Sequence, residues 1–454
     1  MDRRFEVRKA EMLADCEVRP EVFRGMMTRL DTFAEPFVAC LRRPEQRCHT
    51  HTYLRGLLSD VERKNAEAIA YRHDEERQGL QTFLGTAPWN HQPLLSELAR
   101  QVGQTIGEPD GVLALDPSAF VKKGRHSVGV TRQWCGRLGK VENCQVGVFL
   151  GYVSRHEQVV VNMRLYLPKE WAADRKRRKE CGVPREVRYQ TRHRLALEML
   201  DEQGSLLPHA WVAGDDEIGL PAWFRRELRQ RGERYLLAVP GNVSIRDLEE
   251  EPPPYVPGKG RPPKARFQQM QRWCQALPPD AWREVKVRDT EKGLLTVSAV
   301  KRRVQTMLGD RVGDEEVLVI VRWTDEEHAL RHDYHLSNAS PETSLEEFAR
   351  VARAEHRIEQ CFERGKTEAG LAEYQVRTWL GWHHHVTLSL LATWFLVCET
   401  RRGKKMDARN HGAADSQAIV ANTACGVRLR RTLAHLPRMH TLVATKRACK
   451  VLLS

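Results

Sequence analysis

Three segments determine the fold, namely GVLALDPSAF at 111–120, NCQVGVFLGYVS at 143–154 and QVVVNMRLYLP at 158–168. Each of these three segments is apolar, and the turn-like sequences KKGRHS and SRHEQ stand between them. Short apolar segments separated by turn residues are typical of β-strands that follow one another in a sheet. These segments therefore predict a three-stranded β-meander.

Helices and strands alternate after the meander. The segments, in order, are the amphipathic REVRYQTRHRLALEMLDEQ at 185–203, the strand-like HAWVAGDD at 209–216, the amphipathic PAWFRRELRQRG at 221–232 and the strand-like RYLLAVP at 234–240. The predicted order is βββαβαβ. Three sequential strands followed by alternating helices and strands describe an α/β protein with an RNase H-like sheet.

The texture of the chain changes on both sides of this core. Apolar residues recur at helical spacing before residue 105, a Pro-rich basic stretch and further strand-like segments follow residue 240, and helical periodicity returns near Ser344. We therefore predict a helical N-terminal DNA-binding region at 1–105, the first part of the core at 106–240, a β-rich insertion at 241–335, the C-terminal helices of the core at 336–400 and a basic tail at 401–454.

The charge of the chain favours a polyanionic partner. Lys and Arg number 73 against 60 Asp and Glu, a net charge of +13, and the last 54 residues hold 12 of these cations with only 2 Asp. Nucleic acid is the leading candidate. The charged N-terminus and the short apolar run at 388–398 lead us to expect a cytoplasmic protein with no membrane partner, since crossing a bilayer takes roughly 20 apolar residues.

Three acidic residues are candidates for the chemistry. Asp116 follows the apolar segment VLAL, and Asp215 follows AWVAG, so both are expected at the carboxyl ends of neighbouring strands, where ligands bind in α/β sheets. The structural alternative is that each Asp begins a turn. Glu359 lies at the edge of a helical apolar stripe, with Lys366 two turns further on the same side.

Three carboxylates at one end of a sheet can hold two divalent cations. Mg²⁺, or Mn²⁺ in its place, prefers hard oxygen ligands, and a pair of such ions stabilises both the attacking and the leaving oxygen in phosphoryl transfer. The predicted chemistry is the cutting or joining of phosphodiesters.

Four longer segments of the chain resemble bacterial insertion-sequence transposases of the DDE type, and more narrowly the insertion-sequence-701 group, which is related to the insertion-sequence-four group. These segments are LDPSAFVKKGRHSVGVTRQWCGRLGKVENCQ, WVAGDDEIG, HRIEQCFERGKTEAGLAEY and RTWLGWHHHVTLSLLATWFL. The resemblance runs from about residue 45 to about residue 400. It implies that Asp116, Asp215 and Glu359 are the catalytic, metal-binding acids, with a β-rich insertion before the Glu and Lys366 after it.

The chain departs from the pattern of the related group. That pattern has Tyr seven and Arg four residues before the catalytic Glu, whereas this chain has Ala352 and Glu355 there, with Arg353 and Arg357 as candidate substitutes. Pro117 stands where a second acidic residue is expected. None of these departures removes a metal ligand.

Several basic residues are candidates for contacts with DNA. They are Lys122, Lys123, Arg125, Arg261, Arg357 and Lys366. The first three lie in the turn after the first strand, where they either hold backbone phosphates or form a plain solvated hairpin. Arg261, in GKGRPPK, either enters a minor groove or belongs to a linker.

Three functions are consistent with these patterns. The first is a transposase that binds terminal inverted repeats and target DNA and acts as a dimer in the synaptic complex, by analogy with the family. The second is a catalytically inactive relative that binds DNA as a regulator. The third is a free-standing nuclease, which needs no specific DNA ends. The surviving acids, the β-rich insertion and the helical N-terminal region favour the first.

Overall fold

The computed structural model describes residues 25–251, 265–290, 293–308, 311–324 and 329–411. The chain divides into two compact units, residues 27–397 and the terminal segments 1–26 with 398–454. All described strands lie in the first unit, where they form one large mixed sheet with helices around it. The predicted α/β class is confirmed.

Helices make up most of the N-terminal region from residue 25 onward. They are α1 (Met26–Val38), α2 (Pro44–Leu57), α3 (Ala66–Arg72), α4 (Arg77–Gly85) and α5 (Gln92–Ile106). Leu94, Leu95, Leu98 and Val102 recur at helical spacing on α5, and all four are buried. Between residues 25 and 106 the described chain contains no strand, which confirms the predicted helical character of this region.

Four strands form the first part of the sheet. They are β1 (Val112–Val121), β2 (Thr131–Cys135), β3 (Lys140–Val153) and β4 (Gln158–Leu165). β3 pairs antiparallel with the other three. The predicted meander corresponds to β1, β3 and β4, and the sequence analysis missed β2, a five-residue strand at the edge of the sheet. Three of its five residues are exposed or half-buried polar side chains, so its apolar signal is weak.

The next strands run parallel to β1. The chain passes through α6 (Lys169–Ala173), α7 (Arg175–Glu180) and α8 (Arg192–Gln203) to β5 (Trp211–Gly214), then through α9 (Asp216–Gly219) and α10 (Ala222–Gln230) to β6 (Tyr235–Ala238). β5 lies between β1 and β6 and pairs parallel with both. Helical crossovers make parallel pairing possible, as the predicted alternation requires.

The segment predicted as a β-rich insertion joins the same sheet. Its elements are β7 (Ser244–Asp247), β8 (Gln268–Gln269), α11 (Met270–Gln275), β9 (Arg283–Thr290), β10 (Gly293–Leu308), β11 (Arg311–Thr324) and β12 (Leu330–Ser337). β12 pairs antiparallel with β6, and the strand order is β2-β3-β1-β5-β6-β12-β11-β10-β7-β8, with β4 on β3 and β9 on β10. The insertion is thus continuous with the strands that carry the candidate acids.

Two long helices complete the fold. α12 (Leu345–Glu368) packs on the sheet, and α13 (Trp379–His411) follows after a break at 369–378. The predicted stripe of α12 is buried: Ile358 lies against β3 at Gly151, and the ring centroids of Phe362 and Phe149 are 5.0 Å apart. Among the described residues, no helix is long and apolar enough to span a membrane.

Gly151 sets how closely α12 approaches the sheet. A Cβ atom added to Gly151 would lie 2.0 Å from Ile358 Cδ1, so we expect Gly151→Ala to lower the free energy of unfolding by about 1–3 kcal/mol through overpacking. Ile358→Val removes the Cδ1 methyl, and in that background the same substitution should cost less. Urea denaturation of the four proteins measures this coupling. Equal losses in the two backgrounds would contradict the proposed contact.

The three consecutive histidines of α13 are core residues. His383, His384 and His385 are 2%, 0% and 0% exposed. Their rings face three different surroundings: the Trp379 carbonyl, the Leu84 and Trp89 carbonyls, and the Tyr53 hydroxyl with the Gly370 carbonyl. The divergence follows from the helix, because consecutive residues on a helix point in different directions.

Burial of His383 makes stability depend on pH. Burial lowers the pKa of His383 to about 3, below its ordinary value of about 6.5 in an unfolded chain. Between these values the unfolded state binds the additional proton, so the free energy of unfolding falls as the pH falls below about 6.5. Chemical denaturation of wild type and His383→Leu between pH 6 and 4.5 should differ in slope by about 1.4 kcal/mol per pH unit, with the variant less pH-dependent. Parallel slopes would contradict this assignment.

Candidate active site

The register of the sheet brings Asp116 and Asp215 to equivalent positions. Leu115 of β1 pairs with Gly214 of β5, and each acid is the next residue of its strand or chain. Adjacent strands lie about 4.8 Å apart. The expectation that the two acids would leave neighbouring strands at the same edge therefore agrees with the structure.

One detail of that expectation is wrong. Asp116 does not end its strand, because β1 continues to Val121. The antiparallel partner β3 is longer than the parallel partner β5, and its pairing with β1 extends as far as Val121 and Cys144. Asp116 therefore lies where the parallel pairing ends and the antiparallel pairing continues.

Asp215 also has a local structural role. It is the N-cap of α9, and its Oδ1 accepts a hydrogen bond from the Ile218 amide at 2.9 Å. Burial raises the pKa of Asp215 to about 7, with the Ile218 hydrogen bond opposing it and the charges of Glu217 and Asp216 adding to it. The Asp215 side chain thus both caps a helix, as the structural alternative expected, and lies among the candidate acids.

Helix α12 places Lys366 and Glu359 above these acids. Lys366 Nζ lies 3.0 Å from Ser118 Oγ on β1, two residues from Asp116. Burial raises the pKa of Asp116 well above its ordinary value, the charges of Asp215 and Glu359 raise it further, and Lys366 opposes the rise. The three predicted acids therefore form one electrostatic cluster with Lys366 beside it.

Glu359 is the outermost of the three. Its side chain is 66% exposed, and Oε2 lies 3.7 Å from His356 Nδ1. In the described part of the chain, no three His, Cys, Asp or Glu side chains are arranged to hold a metal ion.

Glu355 is an acidic residue that the sequence motifs did not single out. By those motifs it is only a departure from an expected Arg. In the structure the residue is partly buried, and burial followed by the charges of Asp215, Asp116, Glu359 and Asp333 raises its pKa well above the ordinary value. Helical spacing could have revealed it, because Glu355 precedes Lys366 by eleven residues, three full turns.

The predicted DNA-binding residues have different surroundings. Lys123 and Arg125 are exposed, whereas the Lys122 ammonium lies 3.4 Å from the centroid of the Tyr374 ring, and burial lowers its pKa to about 8. Arg357 donates to Gln158 Oε1 at 2.7 Å and to the Ser154 carbonyl at 2.5 Å. These bonds hold α12 to the β3–β4 turn, a structural role that the sequence analysis did not foresee.

Arg261, the remaining predicted DNA-binding residue, lies outside the described residues. Its assignment to a minor groove stays a prediction.

The chain matches known families and proteins. Residues 36–294 match the model of the DDE superfamily endonuclease family. Over 116 residues the chain is 32% identical to the probable transposase for insertion sequence element IS701 of Microchaete diplosiphon, an alignment that covers 25% of this chain and only 30% of that relative.

The chain also aligns with a solved structure. The piggyBac transposase in the cryo-EM structure of a synaptic complex with hairpin DNA aligns with 93% of this chain and 81% of its own, at 9% identity and a TM-score of 0.37. The family match covers more than half of the 454 residues. This protein therefore belongs to the DDE superfamily endonucleases, which confirms the predicted resemblance to DDE-type insertion-sequence transposases.

Proposed function

We propose that this chain is a transposase that binds the terminal inverted repeats of an insertion sequence, cleaves DNA at the ends of the element and joins the freed 3′ ends to target DNA. One observation carries the proposal. Asp116 and Asp215 directly follow the last paired residues of two adjacent parallel strands, under the helix that bears Glu359 and Lys366. Acidic clusters at strand ends are suited to phosphoryl transfer.

The strands around these acids form, in this proposal, an RNase H-like core. β4, β3 and β1 are antiparallel, whereas β1, β5 and β6 are parallel, in the order β4-β3-β1-β5-β6. This arrangement supports the proposal because Asp116 lies on one inner strand and Asp215 directly follows its inner neighbour, and α12 packs against both strands.

The donor set fits a divalent cation. The carboxyl groups of Asp116 and Glu355 have raised pKa values because they are buried beside other negative charges, and a cation would relieve that repulsion. Carboxylate oxygens are the ligands that Mg²⁺ and Mn²⁺ prefer. In this proposal Asp116, Asp215 and Glu359 would hold two such ions, which would supply activation of the attacking water or 3′ hydroxyl and stabilisation of charge on the phosphate and leaving oxygens.

The chain's own residues orient the site. The Ile218 amide fixes one oxygen of the Asp215 carboxylate, and Ser118 Oγ fixes the Lys366 ammonium beside Asp116. Held there, Lys366 supplies a positive charge for a phosphate oxygen of DNA. Asp333 Oδ2 lies 4.0 Å from His356 Nε2, which positions the imidazole between Asp333 and Glu359.

The proposed partner is double-stranded DNA. The exposed side chains of Lys123 and Arg125 follow the strand that carries Asp116, so in this proposal they contact backbone phosphates near the site. The proposed synaptic complex is a dimer, since joining two ends of an element requires two active sites. Phosphate contacts should make binding weaken steeply with salt.

A cleavage assay tests the function. The full chain is incubated with Mg²⁺ and a labelled duplex that contains the terminal repeat next to its reading frame, and with a duplex of scrambled sequence. We expect nicks at the repeat boundary of the first duplex and none in the second. Binding of the repeat without cleavage would instead indicate an inactive regulator, and equal cleavage of both duplexes a free-standing nuclease.

A further inference from the structure

Glu355 occupies the sheet-facing side of α12. It precedes Phe362 by seven residues and Lys366 by eleven, so on an α-helix each of these two side chains leaves the axis within about 20° of the direction of Glu355. Both later residues contact the sheet: the Phe362 ring lies 5.0 Å from that of Phe149, the partner of Asp116, and Lys366 Nζ lies 3.0 Å from Ser118 Oγ. Glu355 therefore faces the same surface two to three turns earlier.

Glu359, on the same helix, is more exposed to solvent than Glu355. Glu359 follows Glu355 by four residues, which corresponds to a rotation of about 40° on the helix. In agreement, the Glu359 side chain is 66% exposed, whereas Glu355 is partly buried. Of these two glutamates, Glu359, which the family motif identifies, is therefore the more exposed.

Several acidic side chains act on Glu355. After burial, the charges of Asp215, Asp116, Glu359 and Asp333 raise its pKa. Of these, Asp333 already accepts a hydrogen bond from Trp323 Nε1 at 2.7 Å, and Asp215 one from the Ile218 amide. A carboxyl group in such surroundings reduces the stability of the free protein, and a bound cation would offset that cost.

We propose that Glu355 is a fourth metal-binding carboxylate of this site, acting with Asp116, Asp215 and Glu359. The inference rests on the proposed function, because it assigns a further ligand to the same divalent cations. It explains why an acid occupies the inner face of α12 between an aromatic contact and the acids of the sheet.

Titration of the full chain with Mn²⁺ alone tests this ligand. We expect Glu355→Gln to weaken Mn²⁺ binding by at least about tenfold in calorimetry, as loss of a supporting metal contact does elsewhere. Glu346→Gln is the matched control, since Glu346 is exposed on the opposite face of α12 and should leave the affinity unchanged. A second variant, Glu355→Asp, keeps the charge on a shorter side chain and should give an intermediate loss.

Thermal unfolding provides a second readout, because the expected change in Tm on substitution is a rise. Without metal, Glu355→Gln should raise the Tm, because it removes one of several neighbouring negative charges, while the rise in Tm that Mn²⁺ produces should shrink. A purely structural role predicts a lower Tm and an unchanged Mn²⁺ effect, and that result would overturn the inference.

The outcomes separate this inference from the function on which it rests. If Asp116→Asn abolishes Mn²⁺ binding and Glu355→Gln or Glu355→Asp binds as wild type does, the inference fails and the proposed function stands. If the wild-type chain binds no Mn²⁺, with or without end DNA, both fail.

Discussion

Replacing Asp116 with Asn is expected to lower metal-dependent cleavage of end DNA by at least about 10³-fold, while the affinity for that DNA changes by less than about threefold. The amide preserves the shape of the side chain but removes a negative charge at the point where β1 leaves its parallel partner. The loss should therefore fall on the chemical step, because the proposed cations lose a ligand and binding surfaces elsewhere are unchanged.

Two measurements check this expectation. Single-turnover cleavage gives the rate of the chemical step, and electrophoretic mobility shifts give the affinity. Asp60→Asn is the control, since the Asp60 side chain is 82% exposed and has no role in the proposed chemistry. Cleavage by Asp116→Asn within about tenfold of wild type would remove Asp116 from the proposed machinery.

Replacing Glu316 with Gln is expected to lower the free energy of unfolding by about 3–5 kcal/mol, because it leaves the charge of a buried Arg without a partner. Arg225 Nε lies 2.8 Å from Glu316 Oε1, and the two side chains are 4% and 3% exposed. The Tyr235 hydroxyl donates to the same carboxylate oxygen at 2.7 Å. Arg225 also donates to the Gly219 carbonyl at 2.6 Å, so the pair joins β11 to the helix that Asp215 caps.

A neighbouring ion pair supplies the control for this prediction. Glu315 pairs with Arg303 at 2.7 Å, but these side chains are 48% and 45% exposed. Glu315→Gln should cost less than about 1 kcal/mol. Urea denaturation of both variants measures the difference, and the double variant Arg225→Met with Glu316→Leu should recover much of the loss. Equal losses for Glu315→Gln and Glu316→Gln would show that burial does not set the energetics of this pair.

Local patterns predicted much of the fold. Continuous apolar residues identified β1, β3 and β4, and the amphipathic segments before Trp211 and Tyr235 correspond to α8 and α10. These elements are determined by residues close in sequence, which is why periodicity finds them. The same reasoning placed Asp116 and Asp215 beside each other, because strand order fixes which chain segments meet.

Features that depend on distant residues could not be predicted. Arg225 and Glu316 are 91 residues apart, and Lys122 meets Tyr374 across 252 residues. In both pairs, the sequence near each residue gives no indication of its partner.

Glu355 was missed for a different reason. Comparison with a family pattern registers it as a mismatch at one position. Only the folded structure reveals that burial and the charges of Asp215 and Asp116 raise the pKa of Glu355. A residue that departs from the family motif, such as Glu355, can therefore indicate a role that the motif does not describe.

Anomalous diffraction from crystals of the full chain with end DNA and Mn²⁺ tests most directly whether the acid cluster is a metal centre. The account predicts a manganese peak about 2.1 Å from carboxylate oxygens of both Asp116 and Asp215, with Glu359 turned inward. A manganese peak that contacts neither Asp, or its absence at saturating Mn²⁺ with DNA bound, would contradict it.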